Sequence, residues 1–353
     1  MKSIWRAEHP WRNTKYNYGL LAGMIYITDR TLSSLDDMPY NVSLLARFLE
    51  LLIQSEPDAI ELSQKTYDLL SPLPDYPGYL LRINQIEDVA EYHGIAGFVC
   101  HGVKADSCKN VICEILLDDM RDINDLAACF NGCGKIRVQG LDDIITGDYA
   151  DVFVRLRKSF SGGIEFCPNN RFNFATALAA EWLTSGAASN GAASSGGNSV
   201  ATSFGGVGGF APTEEVMMVL KLAGLRKPEK IYGFFPEMAS LLNKITASPV
   251  SRNKPILGKC IFHVESGIHV DGILKDPKCY EPFPPETVGL KREIVIGKHS
   301  GTASIRAKLA ELGIPCVDEK IPSVLEGVRA RGVEKSGALN DMEFAQVVRE
   351  CVA

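Results

Sequence analysis

Three of the chain's six histidines, His263, His269 and His299, fall in one stretch, Cys260 to Ile305. Glu265, Tyr280, Lys298 and Ser300 share it. An imidazole and a phenol hydroxyl can pass a proton near neutral pH, and a carboxylate can hold an imidazole in place. A lysine, a histidine and a serine side by side can grip an anionic ligand. A single histidine is more often a structural or solvent-facing residue, so the grouping rather than any member points to chemistry. The stretch is dense in Gly, Pro, Glu and Asp and ends in a short apolar run, Ile294 to Ile296, before Gly297-Lys298-His299-Ser300-Gly301. Such packing of polar residues between apolar segments reads as a loop-borne site on a folded scaffold.

The scaffold is legible as alternation. Short apolar runs occur at Gly23–Thr28, Asp58–Leu62, Tyr79–Ile83, Gly97–Cys100, Val111–Ile115, Lys135–Val138, Asp151–Leu156 and Gly163–Phe166. Helical spacing separates several of them, as in Pro39–Gln54, Ile123–Phe130 and Ala175–Ser185. Strands alternating with helices predict a parallel α/β architecture with polar residues at the strand ends, as a barrel's active face requires. Residues 185–209, rich in Gly, Ser, Ala and Asn, read as a surface loop. Thr213 is the expected cap of a helix through Leu225. Residues 306–353 predict a helical tail, with Gly313 ending its first helix. The expected organisation is an extension (1–22, with Trp5, Trp11 and Tyr16), a barrel-like domain (23–250), a post-barrel subdomain (251–305) and the tail (306–353).

The bulk numbers exclude other classes. With 46% hydrophobic and 23% charged residues, the 353-residue chain is ordinary for a globular protein, and its net charge of -6 argues against a nucleic-acid footprint. Ten cysteines without framework spacing, and no secretory signal, predict free thiols in a reducing cytoplasm. The run Leu44–Ile53 is too short to cross a bilayer.

Three linked motifs carry a resemblance: H-x-E-S-G-I-H-x-D-G from His263, Y-E-P-F-x-P-E-x-V-G from Tyr280, and G-K-H-S-G from Gly297. They resemble the region after the catalytic barrel in the homocitrate and isopropylmalate synthase family, most of all its nitrogen-fixation type. The resemblance implies an acyltransferase that condenses acetyl-CoA with a 2-oxo acid, 2-oxoglutarate for homocitrate. It also implies a TIM-type (βα)8 barrel, with a tight strand and glycine-rich turn in the stretch 185–209 before the helix that carries Glu214 and Glu215. Residues 23–230 fall short of the ~250 residues of a complete barrel, so the barrel is expected to be shortened or degenerate in its first half.

The family's divalent-metal site is expected at the ends of two barrel strands, in D-T-T-L-R-D-G and H-x-H-N-D. Here the first motif reads Asp29-Arg30-Thr31-Leu32-Ser33-Ser34 and the second Cys167-Pro168-Asn169-Asn170-Arg171. Ser34, Cys167 and Asn169 stand at the metal-ligand positions, and neutral Ser and Asn are poor ligands. No metal ligand is therefore assigned to this chain. The resemblance implies catalytic roles for His269 and Tyr280, with Glu265 orienting the histidine, and substrate contacts from His263, Lys298, His299 and Ser300. A chain that lost its metal site but kept residues lent across an interface is expected to work in a hetero-oligomer. Its partner would be a metal-bearing alpha-type chain of a synthase divided into alpha and omega chains. The alternatives are a non-catalytic relative with a regulatory or ligand-binding role, and a self-sufficient enzyme using a new metal group of Asp29, His101 and Cys167.

Overall fold

In the computed structural model, the structure describes residues 25–36, 38, 41–102, 110–117, 123, 130, 132–141, 147–185 and 198–352. Eight parallel strands close into a barrel: β1 (Ile25–Asp29), β2 (Ala59–Ser63), β3 (Tyr79–Ile83), β4 (Gly97–His101), β5 (Val111–Leu117), β6 (Lys135–Gly140), β7 (Gly163–Pro168) and β8 (Asn198–Thr202). Closure is made by β1 against β8, paired from Ile25↔Asn198 to Asp29↔Thr202.

Every strand of the expected barrel is present, and the shortening lies in the crossovers. Helices α1 (Val42–Ser55) and α2 (Gln64–Leu70) follow β1 and β2, and α3 (Tyr149–Ser159), α4 (Ala175–Ser185) and α5 (Thr213–Leu222) serve the second half. After β3 there is only one short 3₁₀ turn, Ile86–Ala90. Between β4 and β5 the chain has just residues 102–110, fewer than the dozen or more of an ordinary helical crossover. The expected strand Asp151–Leu156 is instead part of α3, whose Val152, Phe153 and Leu156 are buried at helical spacing. The eighth strand comes from Asn198–Thr202, inside the segment whose composition reads as a loop and where the family resemblance implies a strand. The expected extension 1–22 and most of the expected helix Ile123–Phe130 lie outside the described residues.

Local signals explain the helices that formed. The Asn41 side chain accepts from the Leu44 N–H and starts α1, which buries Leu45, Phe48, Leu49 and Leu52 on one face. In the second half Trp182 of α4 packs edge-on against Phe153 of α3, with ring centroids 5.2 Å apart. Its indole N–H donates to the Ser199 carbonyl of β8 at 3.0 Å.

The chain divides into two compact units, one of residues 1–230 and 237–250, the other of 231–236 and 251–353. Helix α6 (Phe235–Thr246) follows the barrel. The second unit contains a two-residue parallel pair, β9 (His263–Val264) with β10 (Glu293–Ile294), and helices α7 (Gly267–Lys275), α8 (Thr302–Leu312), α9 (Ile321–Lys335) and α10 (Asp341–Val352). Gly313 ends α8 at φ 64, as expected, because only a residue without a Cβ takes that conformation cheaply. One apolar core joins Ile296 and Ile305 to Leu309, Val324, Val328, Phe344 and Val347. The tail helices and the motif-bearing stretch therefore share a core within one unit. Among the described residues no helix is long and apolar enough to cross a membrane.

Candidate functional site

The interior of the barrel is charged where apolar layers are usual. Arg137 on β6 is fully buried. Its Nε donates to Glu165 of β7 at 2.6 Å, and its Nη1 to Glu61 of β2 at 2.5 Å and Glu114 of β5 at 3.2 Å. Strands β2 and β6 are not neighbours, so the Arg137–Glu61 pair spans the interior. Arg82 of β3 donates to Glu61 at 2.9 Å and grips both oxygens of Glu114 at 2.9 and 2.7 Å. Glu165 also accepts from the hydroxyls of Thr28 and Ser199, each at 2.8 Å. Burial pushes these carboxyls up, but the guanidiniums outweigh it. Glu114 and Glu165 are held down at about 2, and Glu61 lies lower still. Sequence reading missed this network. Its signal was available as a charged residue inside each of five otherwise apolar predicted strands: Glu61, Arg82, Glu114, Arg137 and Glu165.

At the C-terminal mouth of the barrel the expected metal positions are otherwise engaged. The Asp29 carboxylate accepts from the Thr31 N–H at 2.9 Å and the Thr213 hydroxyl at 2.5 Å. Burial pushes this carboxyl up, and those hydrogen bonds oppose the rise. Thr213 is thus spent on Asp29, and Pro212 holds the position before α5 where Thr213 was expected as cap. The Ser34 hydroxyl donates to the Arg30 carbonyl at 2.9 Å. Asn169 makes a backbone bridge to Phe210. The buried Cys167 thiol, its titration pushed up by burial, faces the Arg30 guanidinium at 3.3 Å. These side chains do not fit a divalent ion: the Ser34 hydroxyl is tied to backbone, the Asn169 amide is neutral, the buried thiol is held neutral, and a cation already points at it. Among the described residues no three His, Cys, Asp or Glu side chains group as ion ligands, which removes the alternative set of Asp29, His101 and Cys167. No catalytic step is derived through a metal in this barrel.

The second unit brings the expected catalytic pair together. The rings of His269, on α7, and Tyr280, in the loop after it, lie 4.6 Å apart at 48°. Both side chains are exposed, Tyr280 at 46%. Gly272 permits this contact, since a Cβ there would meet the Tyr280 ring at 2.5 Å. Glu281, next in sequence, is buried and bound to Arg292 by two bonds of 2.6 and 2.7 Å, which fixes the loop that carries Tyr280. Ile268 and Leu274, at 77% and 62% exposure, flank the pair on α7.

The other expected site residues divide between structure and surface. Glu265 does not meet the His269 ring; its carboxylate accepts from the His299 N–H at 2.8 Å, and its carbonyl accepts from the Ser304 hydroxyl at 2.8 Å. Ser300 is fully buried, so its side chain offers a substrate nothing. Its hydroxyl accepts from the Gly297 N–H at 2.9 Å, and its carbonyl accepts from Arg329 at 3.1 and 2.8 Å. Gly267 and Gly301 meet backbone to backbone, where a Cβ on Gly267 would lie 2.7 Å from the Gly301 Cα. The G-K-H-S-G motif is therefore a clamp on the start of α7, the helix that carries His269. Lys298 and His299 are exposed. The His263 ring pairs with Glu293 across β9 and β10 at 3.1 Å.

A closed (βα)8 barrel with a second unit built on these motifs defines the class: barrel synthases with a post-barrel domain. The family described as "Homocitrate synthase post-HMGL domain-like" matches residues 256–336. The chain is 30% identical to the homocitrate synthase omega subunit of Clostridium pasteurianum, over 92% of this chain and 95% of that one. It is 38% identical to homocitrate synthase AksA of Methanothermobacter thermautotrophicus, over 61% of this chain and 51% of that one. The crystal structure of hydroxymethylglutaryl-CoA lyase from Pseudomonas aeruginosa matches at a TM-score of 0.48 and 14% identity, over 62% of this chain and 92% of that chain. The chain belongs to the homocitrate synthase family.

Proposed function

We propose that the chain is one subunit of a two-chain homocitrate synthase, which lends His269 and Tyr280 to a metal-bearing alpha-type partner. The assembled enzyme condenses acetyl-CoA with 2-oxoglutarate, the product serving the nitrogenase iron–molybdenum cofactor. The carrying observation is a contrast. This barrel's ligand positions are occupied by Ser34, Cys167 and Asn169, yet the His269–Tyr280 pair is intact and faces outward with apolar neighbours. Near full-length similarity to a protein named an omega subunit supports the same reading.

In that reading a metal held by the partner would supply Lewis-acid polarisation of the 2-oxo acid's keto group. The residues of this chain handle a proton. His269 receives the proton that leaves the acetyl methyl group, and the Tyr280 hydroxyl hydrogen-bonds the thioester oxygen as negative charge develops there. Ring packing against Tyr280 and the clamp of Glu265, Ser300 and Ser304 restrict where the imidazole can sit. In the same reading Lys298 and His299, both exposed, meet the acidic groups of coenzyme A.

The test is release of CoA from acetyl-CoA and 2-oxoglutarate. The chain is assayed alone, then with its metal-bearing homologue. The expected outcome is activity in the mixture only, reduced at least ~100-fold by His269→Ala, the scale of a lost general base. Full activity of the homologue alone, unchanged by this chain, sinks the proposal and leaves the non-catalytic alternative. Activity of the chain alone shows that the barrel has a metal arrangement of its own.

A further inference from the structure

Two of the eight cysteines among the described residues bring their sulfurs together. The Sγ atoms of Cys113 and Cys133 lie 3.4 Å apart, across 20 positions of the chain. Cys113 is the third residue of β5. Its neighbours Ile112 and Glu114 belong to the barrel interior, one in an apolar layer with Ala59, Leu80 and Val99, the other in the ion network. Strand alternation therefore puts the Cys113 side chain on the outer face of the barrel. Cys133 stands two residues before β6, at the end of the barrel opposite its C-terminal mouth.

The backbone fixes both positions. Cys113 is held in the ladder between β4 and β6, in register with Cys100 and Ile136. The Cys133 N–H donates to the Phe130 carbonyl at 3.0 Å, and the carbonyl of the next residue, Gly134, accepts from the Gly163 N–H of β7 at 3.0 Å. Gly132 takes φ 98 as the chain turns into that position. Two thiols held in contact this way need only a small side-chain rotation to bond. Cys113 is sealed, whereas Cys133 is 7% exposed and has open space beside Gly134. Cys133 is thus the sulfur that an oxidant meets first, and Cys113 is the one placed to resolve the adduct.

We infer that Cys113 and Cys133 are an oxidisable pair, a redox-dependent brace between β5 and β6, with a small disulfide such as oxidised glutathione as the oxidant. The Cys133 thiolate attacks the oxidant and displaces one glutathione thiolate; the Cys113 thiolate then attacks the Cys133 sulfur and displaces the second. The two protein thiols give up two electrons and two protons, and oxidised glutathione becomes two molecules of reduced glutathione. The new bond closes the loop 113–133 and ties together the strands that carry Glu114 and Arg137, partners at 3.2 Å in the interior network. The inference goes beyond the proposed function. It rests on neither a partner chain nor His269, so the two stand or fall separately.

The test uses the full chain alone under native conditions. The chain is incubated with oxidised glutathione, its remaining thiols are blocked with N-ethylmaleimide, and its unreduced digest is sequenced by mass spectrometry. The expected result is a peptide pair joined through Cys113 and Cys133, with a melting temperature higher by roughly 6–12 °C for closure of a loop of this length. Dithiothreitol should reverse both. Cys133→Ser should show neither the joined peptides nor the shift, and Cys113→Ser should stop at a glutathione adduct on Cys133. The joined peptides are read in the unaltered chain, so the test decides even where a variant does not fold. The inference is overturned if the native chain gains no such bond, or if the bond forms only after unfolding. It is equally overturned if Cys133 stays as a glutathione adduct, if it joins another cysteine such as Cys100, or if the joined form melts no higher than the reduced one.

Discussion

Replacing Arg137 by methionine removes the centre of the barrel's ion network while keeping most of its volume. Three carboxylates depend on this guanidinium: Glu165 at 2.6 Å, Glu61 at 2.5 Å and Glu114 at 3.2 Å, with Arg137, Glu61 and Glu165 fully buried. Breaking a buried ion pair from one side typically costs ~3–5 kcal/mol, because the remaining charge is left without compensation. Here the carboxylates keep other donors. Glu61 retains Arg82 and the Ser33 hydroxyl, Glu114 retains Arg82, and Glu165 retains Lys135, Thr28 and Ser199. The lower end, about 3 kcal/mol, is therefore expected. For a unit of this size each kcal/mol lowers the melting temperature by about 2–4 °C, which gives a fall of about 6–12 °C. Thermal unfolding followed by circular dichroism measures it. A variant within about 1 kcal/mol of the parent would refute the reasoning, since it would mean that the three carboxylates are satisfied without Arg137. Replacing Arg137, Glu61 and Glu165 together by apolar residues should recover much of the loss, because the partly exposed Lys135 is then the one cation that loses its ion partner, while Arg82 keeps Glu114.

The same network sets the acid limit. Glu114 and Glu165 titrate at about 2 in the folded chain, against an ordinary value of 4.5, so their contribution is complete above about pH 4.5 and fades as pH falls toward 2. Arg137→Met should move the acid-unfolding midpoint to higher pH, and an unmoved midpoint would show that other groups govern it. In the second unit, Gly272→Ala should displace the Tyr280 ring, whose edge lies 2.5 Å from the new Cβ, and cut the mixed-subunit activity with little change in melting temperature. Gly267→Ala collides with the Gly301 backbone instead, so it should lower stability by roughly 1–3 kcal/mol as well as activity, readable by chemical denaturation.

The fold class was legible because it rests on periodicity. Seven of the eight barrel strands were apolar runs between helical segments, and such runs have few other stable uses than a parallel sheet covered by helices. Composition and periodicity misread two stretches for identifiable reasons. Asp151–Leu156 is apolar at alternate positions, yet Val152, Phe153 and Leu156 also lie on one helical face, and packing against Trp182 selected the helix. Asn198–Thr202 followed a run of Gly, Ser and Ala and carried little hydrophobic signal, but pairing with β1 closes the barrel and makes it a strand. Its place between β7 and β1 supplies the order that its composition lacks.

The candidate site divides in the same way. Sequence by itself determined the family, the motif stretch and the loss of histidine and aspartate at the metal positions, since these depend only on which residue stands where. It could not separate the exposed His269 and Tyr280 from the clamp of half-buried Glu265 and buried Ser300, because the three linked motifs mix both kinds of residue. Only the tertiary structure decided that, by turning one side chain to solvent and another to a backbone N–H. It also decided what lies inside the barrel. Arg30, Glu61, Arg82, Glu114, Arg137 and Glu165 are far apart in the chain, and they become one network because strand closure directs them to a common interior, where charges are weakly screened and must pair with one another.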